Sequence, residues 1–445
     1  MIRIALARFE RGFTILSLVV LCSLFLPISR FQGGRPDDPG VSDPANRAVM
    51  VAVLVFSLVM LIVHARKMVP ALASAWLPFA IVALAFLSSL WASTPDLVMR
   101  RAANFTGTTL FGVYLAARWR PTDIARMLVV AGFIMALGSW GLLAAKPGLA
   151  IMHEGGVAGS LRGAFSHKNM LGWMSGLIII TCFWAIGTGR GGRLAWFTVL
   201  LTIPLWIGAR SMTAIGAVIL TSLVCGAVMG LRTRPVTRVV WGYAMMAGGI
   251  VAISVVAVEG RLILEAMGRD ASFTGRAPLW ELLSRAIAER PLLGYGFQSF
   301  WQKESGWFER IAADVGWTVP TAHNGWIDVW LALGLVGLVL VAALVLSNLA
   351  RASVAAARGL LPGAGLIFAV NVYLLVISFF ESNLATPGIV AWALHVATAV
   401  MLARHSRVVA RARARRGAYV WRLGAAPVRG AMAGAGLQPG RPTSA

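Results

Sequence analysis

The sequence predicts an all-α polytopic membrane protein, and three observations carry that expectation. Of its 445 residues, 58% are hydrophobic and only 13% are charged. The apolar residues come in continuous runs, near the roughly 20 that a helix needs to cross a bilayer. A transmembrane barrel would instead show alternation in segments of about ten residues. Finally, the basic residues concentrate in every second loop.

Taken in order, the runs number about twelve. Residues 13–28 follow a basic start, and no small-residue cleavage site comes after them, so they read as a first span. Runs at 48–63, 69–91, 103–117, 124–145, 169–187, 194–209, 211–231 and 237–258 complete a first region, 1–258, with short loops. Residues 259–322 are the one long loop. Runs at 324–346, 363–380 and 384–403 place the last three spans in 323–403, and a basic tail occupies 404–445. A loop as long as 259–322 is expected to carry structure of its own. Within it, "GRAPLWELLSRAIAERPLLGYG" has helical spacing through Leu279, Leu282, Leu283 and Ile287, with Pro291 as a stop. Short helices at the membrane surface are expected there.

Orientation follows from charge. With Arg3, Arg8 and Arg11 in the cytoplasm, the loops on that side and the tail hold 24 of the 40 Lys and Arg but only two acids, Glu10 and Asp123. The other side holds 16 bases and 15 acids. That is the positive-inside pattern, with both termini cytoplasmic and 259–322 outside. It accounts for most of the net charge of +23. The tail "ARHSRVVARARARR" suits anionic lipid; no nucleic-acid-binding fold accompanies it. After Gly424 its Gly/Ala/Pro-rich composition predicts disorder. Cys22, Cys182 and Cys225 lie in apolar runs without CxxC spacing, so buried thiols are expected and no disulfide framework or thiolate metal site.

Polar residues at the outer face are the candidate site, because charge at membrane depth is costly. Arg162, in "GSLRGAFSHKNMLGW", stands just before a span and is followed by His167, Lys168 and Asn169; cations beside a helix N-terminus suit an anion. Its alternative is an interfacial arginine bonded to loop carbonyls. Arg210, in "WIGARSMTAIG", sits in a tight outer turn, with Ser211 able to cap the next helix; its alternative is a snorkelling side chain. Arg276 opens the loop helix, where a cation opposes the macrodipole unless an anion binds. His323 precedes Asn324, an N-cap for the next span, and can exchange a proton near neutral pH; its alternative is a capping and packing role. Arginine forks match phosphate oxygens. The sequence has no HExxH, outer Cys/His cluster or P-loop, so chemistry without metal, cofactor or nucleotide is expected. Trp280, Tyr295, Phe297, Trp301, Trp307 and Trp317 either stack on sugars or anchor the loop in the interface, the second being the commoner use.

At these residues the chain resembles the bacterial O-antigen ligase and polymerase superfamily, most closely its exopolysaccharide-polymerase branch. The stretches are "LRGAFSHKNMLGWMSGL", "ARSMTA", "GRDASFTGRAPLWELLSRAIAERPLLGYGFQSFW" and "AHNGWIDVWLALGLVGLVL", in family order across about 160–340. The resemblance implies a GT-C-like fold of about twelve helices with a large periplasmic loop, in the bacterial inner membrane. It implies metal-free, inverting glycosyl transfer from undecaprenyl pyrophosphate to a glycan acceptor. By position, Arg162, Arg210 and Arg276 would hold the pyrophosphate and His323 would act on the acceptor hydroxyl, with His167, Lys168, Asn169 and Asn324 in support. A chain-length regulator and export proteins are the partners implied. Ligases share the same Arg and His positions, so transfer to lipid A core or to protein is the in-class alternative. A lipid-linked sugar transporter would place polar groups at the midplane, where only Asn371 and Asp328 stand out. A non-catalytic assembly partner would not need the Arg/His set.

Overall fold

The computed structural model describes residues 2–22, 44–153, 157–230, 276–315 and 319–424. Residues 1–402 form one compact unit and 403–445 a second. The expected span at 237–258, most of the loop at 30–47, residues 259–275, Trp317 and the chain after Gly424 lie outside the described residues.

The elements are helices: α1 (Ile2–Leu21), α2 (Pro44–Val63), α3 (Ala65–Leu72), α4 (Trp76–Leu87), α5 (Pro95–Arg118), α6 (Pro121–Ala145), α7 (Lys168–Gly187), α8 (Gly192–Gly208), α9 (Met212–Gly230), α10 (Arg276–Glu289), α11 (Trp307–Val315), α12 (Gly325–Arg358), α13 (Ala364–Ser378) and α14 (Val390–Gly424). Among the described residues there is no strand, only an isolated antiparallel bridge between Ile151 and Leu161. α6, α7 and α12 are long and apolar enough to cross a bilayer. Shorter apolar helices at Trp76–Leu90, Gly192–Gly208, Met212–Val228 and Ala364–Ser378 accompany them. The chain is a multi-pass membrane protein, although this criterion does not reach twelve spans among the described residues.

Three expected boundaries are corrected. The run 69–91 is not one span: α2 and α3 meet at 109°, and a turn at 73–75 separates α3 from α4. Apolarity is continuous across this corner, so hydropathy could not show it. α5 starts at Pro95, not 103, because proline suits a helix's first turn even ahead of Arg100 and Arg101. α14 starts at Val390, not 384, because Ala385 and Gly388 take positive φ on either side of Pro387.

α7 is the central helix, the most buried of the three long apolar ones. It packs on α6, α8, α9 and α13. Gly172 and Gly176 allow this closeness. A Cβ on Gly172 would sit 2.7 Å from the Ser211 Cβ, and one on Gly176 would overlap the Tyr373 hydroxyl. That hydroxyl donates to the Trp173 carbonyl at 2.6 Å and ties α13 to α7. Cys22 and Cys182 are buried and Cys225 half-buried, all free thiols.

Opposite the candidate site, a carboxylate in α1 is shared by the end of α5 and by His64 at the corner between α2 and α3. Glu10 is 6% exposed. Arg118 donates to it twice, from Nε at 2.9 Å and Nη2 at 3.0 Å. His64 Nε2 lies 3.0 Å away, and the Tyr114 hydroxyl donates at 3.1 Å.

α12 is broken at Gly334, with φ 64° and ψ −166°. The break frees backbone groups, and the segment after α10 satisfies them. Leu335 N–H and Val336 N–H donate to the carbonyls of Pro291 and Leu292, at 2.9 and 3.3 Å. Leu331 and Ala332 carbonyls accept from Tyr295 and Gly296 N–H, at 2.8 and 3.0 Å. The "PLLGYG" segment is thus a strap laced into a broken membrane helix, and it partners four of the backbone groups at the break.

The rest of the outer loop folds on this strap. Leu279, Leu283, Tyr295, Phe300 and Ile311 share a small core. The Tyr295 hydroxyl donates to the Ala286 carbonyl and to Glu289, and burial followed by the Glu289 contact pushes its phenol up to about 12. The expected interfacial aromatics are corrected here. Tyr295, Phe297, Trp301 and Trp307 are all at most 9% exposed. Tyr295, Trp301 and Trp307 belong to the loop's own core, while Phe297 packs into the main helical core against Phe105.

Candidate functional site

Antiparallel connection places the site. α5, α7, α9, α12 and α14 begin on the face where α4, α6, α8 and α13 end. The loops that meet there are 88–94, 146–167, 209–211, 319–324 and 379–389. Arg162, His167, Lys168, Asn169, Arg210, His323 and Asn324 lie in or next to these loops.

Arg162 follows the bridged hairpin. Its N–H donates to the Ala150 carbonyl at 2.8 Å, and its Nε to the Leu149 carbonyl at 2.7 Å. The loop-carbonyl contact expected as the alternative is therefore real, and it fixes the direction of the guanidinium fork. Arg210 sits in the three-residue turn between α8 and α9 with φ +48°. Leu161 N–H donates to the Gly208 carbonyl at 2.8 Å, drawing the two loops together. Arg210 Nη1 lies 3.6 Å from where a Cβ on Gly159 would be. Arg162 and Arg210 thus share one corner.

The neighbours have structural roles. Lys168 is 3% exposed, and its ammonium donates to the Arg210 carbonyl at 3.1 Å, so it holds the Arg210 turn. His167 caps α7: its Nδ1 accepts the Asn169 N–H at 3.2 Å. Ser211 holds α9 through its carbonyl, which accepts the Ile215 N–H, while its hydroxyl pairs with Thr213 at 3.2 Å.

His323 sits at the mouth of α12 with φ +49°. Non-glycine residues rarely adopt this conformation, and such strain concentrates at functional sites. It is over-determined from both sides. Ala322 N–H donates to Asp328 Oδ1 at 3.1 Å, and the Ala322 carbonyl accepts from Trp280 Nε1 at 2.9 Å. Asn324 caps α12, its Oδ1 accepting from Trp326 N–H at 2.9 Å and Ile327 N–H at 3.3 Å. Trp280 lies one turn after Arg276, the first residue of α10. The start of α10 is thereby held beside His323. The fold brings Arg162 and Arg210 to one corner, and Trp280 ties α10, whose first residue is Arg276, to the residue before His323.

Sequence reasoning missed three contributors. Arg101 Nη1 donates to the carbonyl of Gln298, another residue at positive φ, at 2.6 Å. Asp328 Oδ1 also accepts from Trp301 Nε1 at 2.9 Å, and so ties outer loop, histidine and α12 together. The loop 379–389 lies against α12, since a Cβ on Gly325 would be 3.2 Å from Leu384. No short motif marks any of the three. Their partners are distant in sequence. Among the described residues no three His, Cys, Asp or Glu side chains cluster as metal ligands would.

Comparison with known proteins points the same way. Residues 176–342 match the O-antigen ligase family model, an interval that contains Arg210, Arg276 and His323. The Exopolysaccharide production protein ExoQ of Rhizobium meliloti (strain 1021) is 27% identical over 356 residues, which is 74% of this chain and 77% of that protein.

Proposed function

We propose that the chain, which is similar to the O-antigen ligase family over residues 176–342 and to an exopolysaccharide production protein, is a glycosyltransferase of polymerase type. It joins undecaprenyl-pyrophosphate-linked oligosaccharide repeats at the periplasmic face of the inner membrane. The single observation that carries the reading is the pairing of a strained, doubly anchored His323 with arginine-bearing loops on one face of a membrane fold. The lipid tail keeps the donor at that depth. Arg162, Arg210 and Arg276 neutralise its pyrophosphate. The acceptor hydroxyl attacks C1 of the donor sugar from the opposite side and its proton passes to His323. The C1–O bond to pyrophosphate breaks, and the lipid pyrophosphate leaves with its electron pair. The anomeric centre inverts, and arginine charge does the work a metal would otherwise do.

Transfer of the finished glycan to lipid A core or protein is the second reading, favoured by the ligase description of the matched family. The name of the relative, an exopolysaccharide production protein, supports the first. The test uses purified protein and a lipid-linked repeat, scored for product length. His323→Asn keeps a residue that tolerates positive φ but removes the proton acceptor. It should cut turnover by about 10²–10⁴-fold, the usual worth of general-base help, with donor binding unchanged. Wild-type turnover in this variant would end the catalytic role of His323. Ladders of free lipid-linked polymer support the polymerase. Product formed only when lipid A core or a protein acceptor is added supports the ligase.

A further inference from the structure

Leu292 and Leu293 break the pattern of the outer loop. They are 61% and 45% exposed, the only large apolar side chains left open among its described residues, 276–315. Its other exposed long side chains are charged, such as Glu281, Arg285, Lys303 and Glu309. Exposed apolar residues continue on the segments that hydrogen bonds join to the strap: Leu335, Val336 and Val339 of α12, and Leu90 next to Trp91. Such a patch marks a partner surface. The backbone here is treated as it would be away from water. The Pro291 carbonyl accepts from Leu335 N–H at 2.9 Å and from Trp330 Nε1 at 3.0 Å. The Leu292 carbonyl accepts from Val336 N–H at 3.3 Å, and the Leu293 carbonyl from Trp91 Nε1 at 3.2 Å. A loop in water leaves exposed carbonyls to solvent, whereas hydrocarbon demands a protein donor for each. Depth agrees. Residues 329–350 of α12 carry no charge. At 1.5 Å per residue they span about 33 Å, close to the roughly 30 Å of a bilayer's hydrocarbon. Leu335 and Val336, which hold the strap, lie about 10 Å inside that stretch.

We infer that residues 291–293 lie in the hydrocarbon of the leaflet on the site's face, with Leu292 and Leu293 against lipid acyl chains. The inference rests on the membrane fold and not on the reaction. Bilayer lipid is the occupant because the leucines continue the apolar outer surface of α12, a helix long and apolar enough to cross the bilayer. The indoles fit the same placement. Tryptophan favours the boundary between hydrocarbon and headgroups, and Trp91 and Trp330 both donate to the strap. The anchor has a consequence for the site. α10 ends at Glu289, just before the strap, and Trp280 of α10 holds the Ala322 carbonyl. Acyl-chain contact at the strap thus sets the depth at which α10 meets the His323 turn.

The experiment reads depth directly. Full-length protein in phosphatidylethanolamine and phosphatidylglycerol liposomes carries one nitroxide label at a time, on Leu292→Cys or Leu293→Cys. Wild type treated in the same way is the blank for Cys22, Cys182 and Cys225. Val339→Cys on α12 is the lipid reference, and Arg285→Cys on the exposed side of α10 is the water reference. EPR power saturation compares collisions with oxygen, which concentrates in hydrocarbon, and with a water-soluble nickel chelate. Labels at 292 and 293 should match 339, with oxygen collisions exceeding nickel collisions, and should differ from 285. Labels that behave like 285 overturn the inference, because the strap is then in water. Labels that neither reagent reaches overturn it too, because protein, such as a second copy of the chain, then covers the leucines. An unlabelled pair gives a second reading by hydrogen exchange across 290–297. Leu292→Ala stays apolar and should leave exchange within about twofold of wild type. Leu292→Asp puts a carboxylate into hydrocarbon and should speed exchange about tenfold or more. Wild-type exchange in Leu292→Asp overturns the inference.

Discussion

Gly334→Ala is the sharpest perturbation the fold offers. Its φ of 64° and ψ of −166° fall in a region that is nearly glycine-only. Forcing another residue there costs of order 1–3 kcal/mol. A methyl group would also overlap the Leu292 carbonyl, so the strap has to move. Four backbone hydrogen bonds join strap and helix, through Leu335, Val336, Tyr295 and Gly296 N–H. The helix has an escape, because a straightened α12 re-pairs its own groups. The strap has none, and strands its share of the bonds. At a net 0.5–1.5 kcal/mol per hydrogen bond, losing them costs roughly 2–6 kcal/mol, concentrated in the strap. The expected outcome is local opening of 290–297 and not global unfolding. Hydrogen exchange by mass spectrometry should show that peptide exchanging about 100-fold faster or more, from an opening made easier by about 3 kcal/mol. Peptides of α7 should be unchanged. Turnover should fall as well, because the same loop holds Ala322 through Trp280. Wild-type exchange across 290–297 in Gly334→Ala would refute the argument that the glycine exists to admit the strap.

Glu10→Ala strands Arg118 in a half-buried position and should cost about 3 kcal/mol, read as a lower Tm in detergent. Arg118→Met added to it should recover part of the loss, and additive losses would mean the pair is not coupled. Arg276→Lys keeps the charge and loses the fork, so turnover should fall about tenfold to a hundredfold; a rate equal to wild type would remove Arg276 from the pyrophosphate site. For sidedness, alkaline phosphatase inserted in 276–315 should be active and a fusion after Arg404 inactive, as the positive-inside pattern requires; the reverse would move the whole site to the cytoplasm.

Much of this was legible in the sequence because it depends on local chemistry. Asn324 caps α12 because an amide followed by a long apolar run leaves little else for it to do. The helix ending before Pro291 was readable from spacing and a proline. The Arg210 turn was readable because two apolar runs meet there with no room for a loop. What escaped was set by contacts between distant positions. The corner between α2 and α3 sits inside uninterrupted apolarity. Lys168 is legible as a cation at a helix start, but its hold on the Arg210 carbonyl depends on a partner 42 positions away. The outer aromatics looked like membrane anchors because hydropathy cannot tell a loop's own core from an interface.

The strained residues show why the site itself was half legible. Arg210, Gln298, His323 and Ala385 are the non-glycine residues with positive φ among the described residues, and all four lie on the same face of the fold. Nothing in their own sequence demands that conformation. His and Arg drew notice through their chemistry; Gln298 and Ala385 could not. Three have anchors that come from elsewhere in the chain. Lys168 holds the Arg210 carbonyl, Arg101 holds the Gln298 carbonyl, and Asp328 with Trp280 holds the residue before His323. A side chain announces its chemistry in the sequence, whereas a backbone conformation imposed by remote hydrogen bonds does not. The candidate arginines were therefore visible in the sequence, and the remote hydrogen bonds that pose the backbone around them were not.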